Sequence, residues 1–406
     1  MKKNTLPRRI FSWITQHWRG LLAGTIIATI AAITLSLQIT TLIDGQNKYE
    51  TATLHHLETF PNPTERMINA PYLIPAYIIG SNINKMLIGA RITSVVFCLI
   101  ATVALFILLK RWFSIQIASV GSLLFITSSW VLAISHQATP LILLVLTPLV
   151  LIISLTRFAN EKKHSYGAFL QLICAVALAL YVPYMFWPVA VVSGTVALLY
   201  RHKLATLNRK QIVVAAIVFA ALLVPLFISI TQYPGQIKEV LGIPIAMPSL
   251  GEYINNFMWQ FSTLFFVSQP FPELYLGRLP LLDIFSVAMT LLGIYHFAKY
   301  MPKRRKFSFA VLIAVLLIIV PLSIPYQPPM TAYIAIIYIF IAAGVYELLQ
   351  QWFNFFPRNP FARNTAVVLV SVLIGMAALY NLQKFYIAWP NAPETKAVYV
   401  VQSNKD

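Results

Sequence analysis

The sequence predicts an all-α, polytopic integral membrane protein with about 11 transmembrane helices. Apolar residues make up 59% of its 406 residues and charged residues only 10%, whereas a soluble domain carries about one-quarter charged residues. Apolar runs of about 20 residues, the length that crosses a bilayer as a helix, recur along the whole chain. The bilayer therefore sets the architecture, and we expect a single transmembrane domain over residues 1–385.

The predicted spans follow these apolar runs. A basic segment precedes the first run, which is too long for the core of a cleaved signal peptide, so we expect an uncleaved signal anchor. Pro140 and Pro183 mark predicted turns between paired runs, where kinked or re-entrant helices are the alternative. The predicted spans are 21–43, 88–109, 115–135, 139–156, 166–182, 184–200, 211–231, 281–298, 307–325, 331–349 and 365–385.

The basic residues predict the orientation of the chain. Most of the 30 Lys and Arg residues fall in short segments that this threading places in the cytoplasm, as the positive-inside rule requires. All acidic residues except Glu161 and Glu347 fall on the opposite side. We therefore predict a multi-pass protein of the plasma (inner) membrane, with a cytoplasmic N-terminus, an extracytoplasmic C-terminus and a functional site outside the membrane.

Two predicted outer loops are too long to be simple connections. Outer loop 1 covers about residues 44–87 and outer loop 2 about residues 232–280. Each contains an apolar stretch too short to span, Tyr72–Ile79 and Phe257–Val267, which we expect to form interfacial helices. A short extracytoplasmic tail, residues 386–406, follows the last span. Four aromatic residues of the outer segments fit an interfacial belt: Tyr253, Trp259, Tyr275 and Trp389.

Composition and motifs exclude several classes of function. The net charge of +18 comes from basic residues placed between spans rather than from a basic stripe with exposed aromatics, so we expect no nucleic-acid partner. Cys98 and Cys174 each lie in an apolar run and predict neither a disulfide nor a metal cluster. Walker, dinucleotide-binding and hydrolase motifs are absent, and the spans carry almost no acids, which disfavours ATP-driven and ion-coupled transport.

Several local patterns then follow one another in a recognisable order, starting with an acid-bearing loop directly after the first span. These patterns are Asp44–Glu58, Asn69–Tyr72, Gly89–Arg91, Lys110–Phe113, Ser128–His136, Tyr253–Ser268 and Gly277–Asp283. In this layout, over about two-thirds of the chain, the sequence resembles the GT-C superfamily of membrane glycosyltransferases. The resemblance is to its dolichyl-phosphate-mannose-protein mannosyltransferases and its aminoarabinose transferases.

The resemblance implies an inverting transfer of a sugar from a polyprenyl-phosphate carrier to an envelope glycan, lipid or protein acceptor at the outer face. It also implies that an acid of outer loop 1 acts as catalytic base or metal ligand. Glu50 stands at the second position of the usual Asp-Glu pair, Tyr49 stands at the first, and Asp44 is the alternative acid. Solvated loop acids are the plain alternative. No organic cofactor is indicated, and a divalent metal is left open.

A departing lipid phosphate needs cations at the outer interface. Arg91 opens the second span, where a guanidinium can bind a phosphate bidentately, and a snorkelling arginine is the alternative. Lys85 and Arg278 are further phosphate-binding candidates, with interfacial solvation as the alternative. His136, at a tight outer turn, is a substrate-binding candidate, although a helix-end histidine bonded to a carbonyl is the commoner arrangement.

Two departures from the family pattern keep a second function open. Tyr49 replaces the first acid of the pair, and Phe266–Pro270 contains no acid where relatives of this layout often carry one; Glu273 and Asp283 are nearby. The alternative function is therefore a non-catalytic membrane protein, either a transporter of lipid-linked glycans or a structural subunit of an envelope complex.

Overall fold

The structure is a computed structural model that describes residues 6–38, 42, 45–60, 67–160, 165–244, 246–268, 271–322 and 328–399. Within these ranges it consists of helices and connecting segments. Asp44, one of the two candidate acids, and Gln269 and Pro270 lie outside the described residues. The remaining candidate site residues all lie inside them.

Nineteen α-helices occur in the described ranges. They are α1 (Leu6–Ser36), α2 (Lys48–Thr59), α3 (Ala70–Asn82), α4 (Met86–Trp112), α5 (Ile115–Thr127), α6 (Ser129–Ser135), α7 (Ile142–Asn160), α8 (Ser165–Ala179), α9 (Phe186–Leu199), α10 (Arg201–Leu204), α11 (Arg209–Gln232), α12 (Gln236–Leu241), α13 (Leu250–Phe265), α14 (Ile284–Tyr300), α15 (Lys303–Ile319), α16 (Tyr333–Phe355), α17 (Pro360–Gln383), α18 (Trp389–Asn391) and α19 (Pro393–Val398). Val320–Leu322 and Pro328–Ala332 form 3₁₀ turns, and Lys384–Ala388 forms a π-helical turn.

Each predicted span contains a helix, and the described residues have six helices long and apolar enough to cross a membrane. The α5–α6 pair, bent by 62°, would be a seventh span. Three shorter apolar helices occur at Leu22–Ser36, Tyr166–Ala179 and Phe186–Leu199. The chain is therefore a multi-pass α-helical membrane protein, while the count of about 11 spans stays a prediction.

Helix α16 lies at the centre of the bundle and packs most closely against α14. Its residues from Tyr333 to Val345 are all buried, which explains why this segment is apolar on every side. A side chain at Gly293 would meet the Phe340 carbonyl, and one at Gly344 would meet the Met289 carbonyl. Small residues thus let the two backbones touch, as is common between transmembrane helices.

The same helix pair contains a buried polar contact. His296 Nδ1 of α14 lies 2.7 Å from Glu347 Oε2 of α16, and Gln351 donates to Glu347 Oε1 at 2.8 Å. Glu347 was one of the two acids that the orientation rule placed on the basic side of the membrane. An ionisable pair between spanning helices is costly unless each group has a partner, and here both have one.

The outer segments are helical where short apolar stretches predicted it. Tyr72–Ile79 lies within α3, and most of Phe257–Val267 lies within α13. Helix α3 packs directly on α4, because a side chain at Gly89 would meet the backbone of Gly80. The bend from α3 into α4 therefore holds the start of α4 against the outer segments. Their position at the membrane interface stays a prediction.

Two of the four aromatic residues assigned to an interfacial belt are instead buried. Tyr275 is 6% exposed and Trp389 is 3% exposed. Trp389 stacks on Phe385 with ring centroids 5.5 Å apart, and its indole nitrogen donates to the Pro272 carbonyl at 2.9 Å. The belt interpretation is therefore wrong for these two residues, because they pack the tail against the second outer segment.

Candidate functional site

A buried ion pair between α2 and α4 forms the centre of the candidate site. Arg91 Nε donates to Glu50 Oε1 at 3.0 Å, and Arg91 Nη2 donates to Glu50 Oε2 at 3.1 Å. Glu50 is fully buried and Arg91 is 6% exposed. This bidentate geometry is the strongest arrangement that a guanidinium and a carboxylate can form. The two residues that the sequence singled out most strongly therefore bind each other.

The local fold of α2 presents Glu50 to this position. Asn47 caps the helix, since its Oδ1 accepts from the Tyr49 and Glu50 amides, both at 2.9 Å. The backbone amide of Asn47 in turn donates to Glu50 Oε2 at 3.3 Å, which completes a capping box. The Ala138 amide, from the turn after α6, donates to Glu50 Oε1 at 2.8 Å. Glu50 thus accepts four hydrogen bonds, two on each oxygen.

A polar network continues from this pair to the C-terminal tail. Tyr399 Oη accepts from Asn47 Nδ2 at 3.0 Å and from Gln137 Nε2 at 3.1 Å, and it donates to the Glu273 carbonyl at 3.1 Å. Burial, the largest cause, and the nearby Glu50 charge raise the pKa of Tyr399, so the phenol is neutral and able to donate. One tyrosine therefore joins α2, the turn after α6 and the second outer segment.

A second ion pair closes the network on its exposed side. Lys48 Nζ lies 3.2 Å from Glu273 Oε1, whose side chain is 7% exposed. Partial burial, the largest single effect, disfavours the charged amine, but the hydrogen bonds and charge interactions with Glu273 and Tyr49 together outweigh it, and the pKa of Lys48 is raised. Glu273 is one of the two acids that follow the acid-free segment Phe266–Pro270. It faces the start of α2 rather than solvent.

Two buried polar atoms beside the ion pair lack a partner among the described residues: Gln137 Oε1 and Thr139 Oγ1. Both side chains are 2% exposed. The backbone carbonyl of Gln137, by contrast, is hydrogen-bonded, since Ser94 Oγ donates to it at 2.6 Å. Buried polar atoms are normally paired with protein, water or ligand. This turn therefore offers one acceptor and one hydroxyl to a bound molecule.

A small cavity of about 60 Å³ lies next to the pair, between both outer segments. It is lined by Thr53 and His56 of α2, Asn69 before α3, Pro140, and Glu239 of α12. Thr53 is one helical turn from Glu50, so the cavity borders the ion-pair site. A volume of this size holds a few water molecules rather than a sugar. A sugar could enter through this cavity only after the two outer segments had moved apart.

The remaining predicted site residues form no hydrogen bond with Glu50 or Arg91 in the described part of the chain. Lys85 precedes α4 and is exposed, and Arg278 is exposed on the second outer segment. His136 is buried, with Nδ1 2.9 Å from the Leu132 carbonyl and Nε2 3.2 Å from the Leu37 carbonyl. Both of its ring nitrogens thus face backbone carbonyls. Across the described ranges, no three His, Cys, Asp or Glu side chains cluster as metal ligands.

Sequence reasoning missed four contributors to this site: Asn47, the Ala138 amide, Gln137 and Tyr399. The Asn47-x-x-Glu50 spacing is a readable capping signal, since it places a cap residue three positions before a glutamate. A backbone amide carries no residue-specific signal. Gln137 and Tyr399 are polar residues far apart in the chain, and only the tertiary fold brings them together.

The fold and this site define a class: a multi-pass helical membrane protein whose first outer segment is anchored to α4 by a buried ion pair. Solved structures share the fold. The chain aligns with ArnT from Cupriavidus metallidurans bound to undecaprenyl phosphate, with a TM-score of 0.52, 12% identity, and coverage of 92% of this chain and 76% of that one.

It also aligns with the oligosaccharyltransferase from Archaeoglobus fulgidus in the apo form, with a TM-score of 0.54 and 14% identity. The structure of the oligosaccharyltransferase AglB from Archaeoglobus fulgidus, in complex with an inhibitory peptide and a dolichol-phosphate, gives a TM-score of 0.53 at 14% identity. The alignments cover 97% of this chain and 57% of the oligosaccharyltransferase, so the chain spans little more than half of that protein.

No family model and no curated protein sequence matches this chain. The structural neighbours are GT-C superfamily glycosyltransferases of low sequence identity. The chain therefore has a divergent GT-C-like fold, as the order of its sequence patterns predicted.

Proposed function

We propose that this protein is a membrane glycosyltransferase. It would move a sugar from a polyprenyl-phosphate carrier to an acceptor at the end of the helical bundle where the Glu50–Arg91 pair lies. The observation that carries this proposal is the buried arginine–carboxylate pair at one end of a GT-C-like bundle. One structural neighbour was solved with undecaprenyl phosphate and another with a dolichol-phosphate. These likenesses support a lipid phosphate as the donor class.

The proposed reaction is a single displacement. The acceptor oxygen attacks the anomeric carbon, the bond from that carbon to the phosphate oxygen breaks, and the polyprenyl phosphate leaves with the bonding electron pair, which inverts the anomeric configuration. A carboxylate takes the acceptor proton, and a guanidinium stabilises the charge that develops on the phosphate. Glu50 and Arg91 are the residues to which we assign these two roles, with Asp44 as the alternative base.

The two roles are coupled by the existing ion pair. Among the described residues, the nitrogens Nε and Nη2 of Arg91 donate to Glu50 and to the Gly45 carbonyl, while Nη1 has no acceptor. An incoming phosphate would bind at Nη1 first and then compete with Glu50 for the other nitrogens. As Arg91 turns to the phosphate, Glu50 would lose two of its four hydrogen bonds, one on each oxygen, and those oxygens could then take the acceptor proton.

The remaining assignments follow from this proposal. Lys85 and Arg278 are exposed cations that could attract the lipid phosphate, and His136 shapes the turn that carries the Ala138 amide. The acceptor is an envelope glycan, lipid or protein, and its hydroxyl could use Gln137 Oε1 or Thr139 Oγ1, which lack partners among the described residues. We place the reaction on the extracytoplasmic face of the plasma membrane.

One observation favours the alternative of a non-catalytic protein. Both carboxylate oxygens of Glu50 are already occupied by four hydrogen bonds, two of them from Arg91. A purely structural pair would look the same. A transporter of lipid-linked glycans or a structural subunit of an envelope complex would keep this pair to fix the first outer segment on α4.

Turnover of polyprenyl-phosphate sugars by the purified protein separates these functions. We expect native protein to release polyprenyl phosphate with at least one donor of a panel, and Glu50→Gln to reduce release by 10²-fold or more, roughly the contribution of a positioned base. Asp44→Asn tests the alternative acid. Glu58→Gln, an exposed carboxylate on the same helix, is the matched control and should keep native turnover.

Two results would count against the proposal. Release that neither Glu50→Gln nor Asp44→Asn affects would contradict the residue assignment. No release with any donor by protein that is folded and monodisperse would favour the non-catalytic alternative.

A further inference from the structure

A second cavity lies at the opposite end of the bundle from the Glu50–Arg91 pair. Arg91 is near the start of α4 and Trp112, which lines this cavity, is its last residue, so about 30 Å of helix separates them. The cavity has a volume of about 350 Å³ and lies between α7, α9 and α15. It is thus much larger than the one beside the ion pair, and the proposed glycosyl transfer does not use it.

The inner part of this cavity is apolar. Ile152 of α7, Val192 of α9 and Leu312 of α15 contribute to its wall, and Val192 and Leu312 are 4% and 5% exposed to solvent. The Thr195 and Ser308 hydroxyls bond to each other at 3.3 Å across it, which removes their need for another partner. An aliphatic chain is therefore the kind of group that this part would accept.

The mouth of the cavity is basic. Lys303 and Arg304 are exposed there, and Arg305 is half-buried with its guanidinium 4.5 Å from the centre of the Trp112 ring. Arg304 lies 5.8 Å from the Tyr200 ring. None of the described side chains that line the cavity is acidic, and neither Lys303 nor Arg304 forms an ion pair in the described part of the chain.

An apolar slot with a cationic mouth is complementary to an amphiphilic anion. We infer that this cavity binds an anionic phospholipid, with the phosphate at Lys303 and Arg304 and an acyl chain between α7, α9 and α15. Phosphate without a chain would leave the apolar wall unused, and a zwitterionic lipid would bring its own cation to the basic mouth. The site is independent of glycosyl transfer and would act by holding α9 and α15 together.

Lipid retention by the full-length protein tests this inference. We expect native mass spectrometry of detergent-purified protein to show retained phosphatidylglycerol in preference to phosphatidylcholine of the same chains. Lys303→Gln with Arg304→Gln should weaken retention about 30-fold, because each removed charge is worth about 1 kcal/mol at a lipid surface. The matched control is Arg209→Gln with Lys210→Gln, two exposed cations at the start of α11 that do not line the cavity.

A second variant covers the case in which removal of charges disturbs folding. Val191→Trp keeps every charge but fills the slot, and we expect it to lose phosphatidylglycerol while keeping the native melting temperature measured without added lipid. Equal retention by the two charge-removal variants, or equal retention of both phospholipids, would overturn the inference. Displacement of phosphatidylglycerol by polyprenyl phosphate at lower concentration would overturn it too, because the occupant would then be the carrier lipid.

Discussion

At the scale of single residues, the carboxylate of Glu50 and the guanidinium of Arg91 are buried together and hydrogen-bond to each other. Glu50 has no exposed surface and Arg91 almost none. Burial makes each charge expensive when it is alone, because an unpaired ion in a low-dielectric interior loses its hydration without compensation. The pair therefore joins α2 to α4, and under the proposed function a competing phosphate would break it.

The buried pair predicts that removal of Glu50 alone costs more stability than removal of both charges together. Glu50→Gln should destabilise the protein by about 3–5 kcal/mol, since it leaves Arg91 buried and unpaired. The combined Glu50→Gln and Arg91→Gln protein should recover part of that loss, because no buried charge remains. Urea or thermal unfolding in detergent measures both.

Glu58→Gln on the exposed face of α2 is the control and should stay within about 0.5 kcal/mol of native stability. If the combined variant loses as much stability as Glu50→Gln and Arg91→Gln lose separately and added together, the two residues are not coupled, which would contradict the prediction.

At the scale of the helices, the sequence predicts what the bilayer dictates and misses what tertiary contacts decide. Each predicted span contains a helix, because a chain in lipid can satisfy its backbone groups only within itself, although the run at 115–135 is divided into α5 and α6. The first outer segment and the start of α4, which the sequence singles out as the candidate site, contact each other through Glu50 and Arg91, and their role stays a prediction. The ion pair itself is not predicted, because the sequence assigns Glu50 to catalysis or metal binding and Arg91 to the lipid phosphate.

Two features explain that miss. The Ala138 amide and Tyr399 hydroxyl reach the site from segments distant in the chain, and the tail was predicted as an extracytoplasmic extension without a role. Tyr275 and Trp389 were assigned to the interface from aromatic character alone, which does not distinguish a residue at the lipid surface from one packed under a loop.

The contact between α14 and α16 supports a prediction at this scale. Gly293→Ala should lower stability by about 1–3 kcal/mol, because the added methyl group would collide with the Phe340 carbonyl of a backbone that cannot move alone. The thermal midpoint in detergent reports the change. Gly375→Ala in α17, where a methyl group would meet open space, is the control and should be neutral or slightly stabilising. Equal midpoints for the two variants would show that the helices can separate without cost.

At the scale of the whole molecule, the acids and the basic residues predict opposite faces. The Glu50–Arg91 pair, the Lys48–Glu273 pair and the outer helices lie at one end of α4, and Lys303, Arg304 and Arg305 lie near the other. The proposed reactive site and the proposed lipid site therefore lie at opposite ends of α4. Glycosyl transfer outside the membrane requires the first of them to face the extracytoplasmic side.

Labelling of introduced cysteines tests that orientation. We expect the protein carrying Glu58→Cys to react with a membrane-impermeant maleimide added to intact cells, because Glu58 is exposed on α2. The protein carrying Arg209→Cys, exposed at the start of α11, should react only after the membrane is opened. Unmodified protein controls for Cys98 and Cys174. The reverse pattern of labelling would invert the topology and remove the outer face from the proposal.

Under the proposed function, Arg91 binds the phosphate of a polyprenyl carrier. A cryo-electron microscopy structure of the native protein with polyprenyl phosphate tests it most directly, with the Arg91→Gln protein as the comparison. We predict that the lipid phosphate lies within hydrogen-bond distance of the Arg91 guanidinium, that Glu50 has fewer contacts with Arg91 than in the free protein, and that Arg91→Gln loses the lipid. A phosphate bound away from Arg91, with the Glu50–Arg91 pair unchanged, would contradict the account.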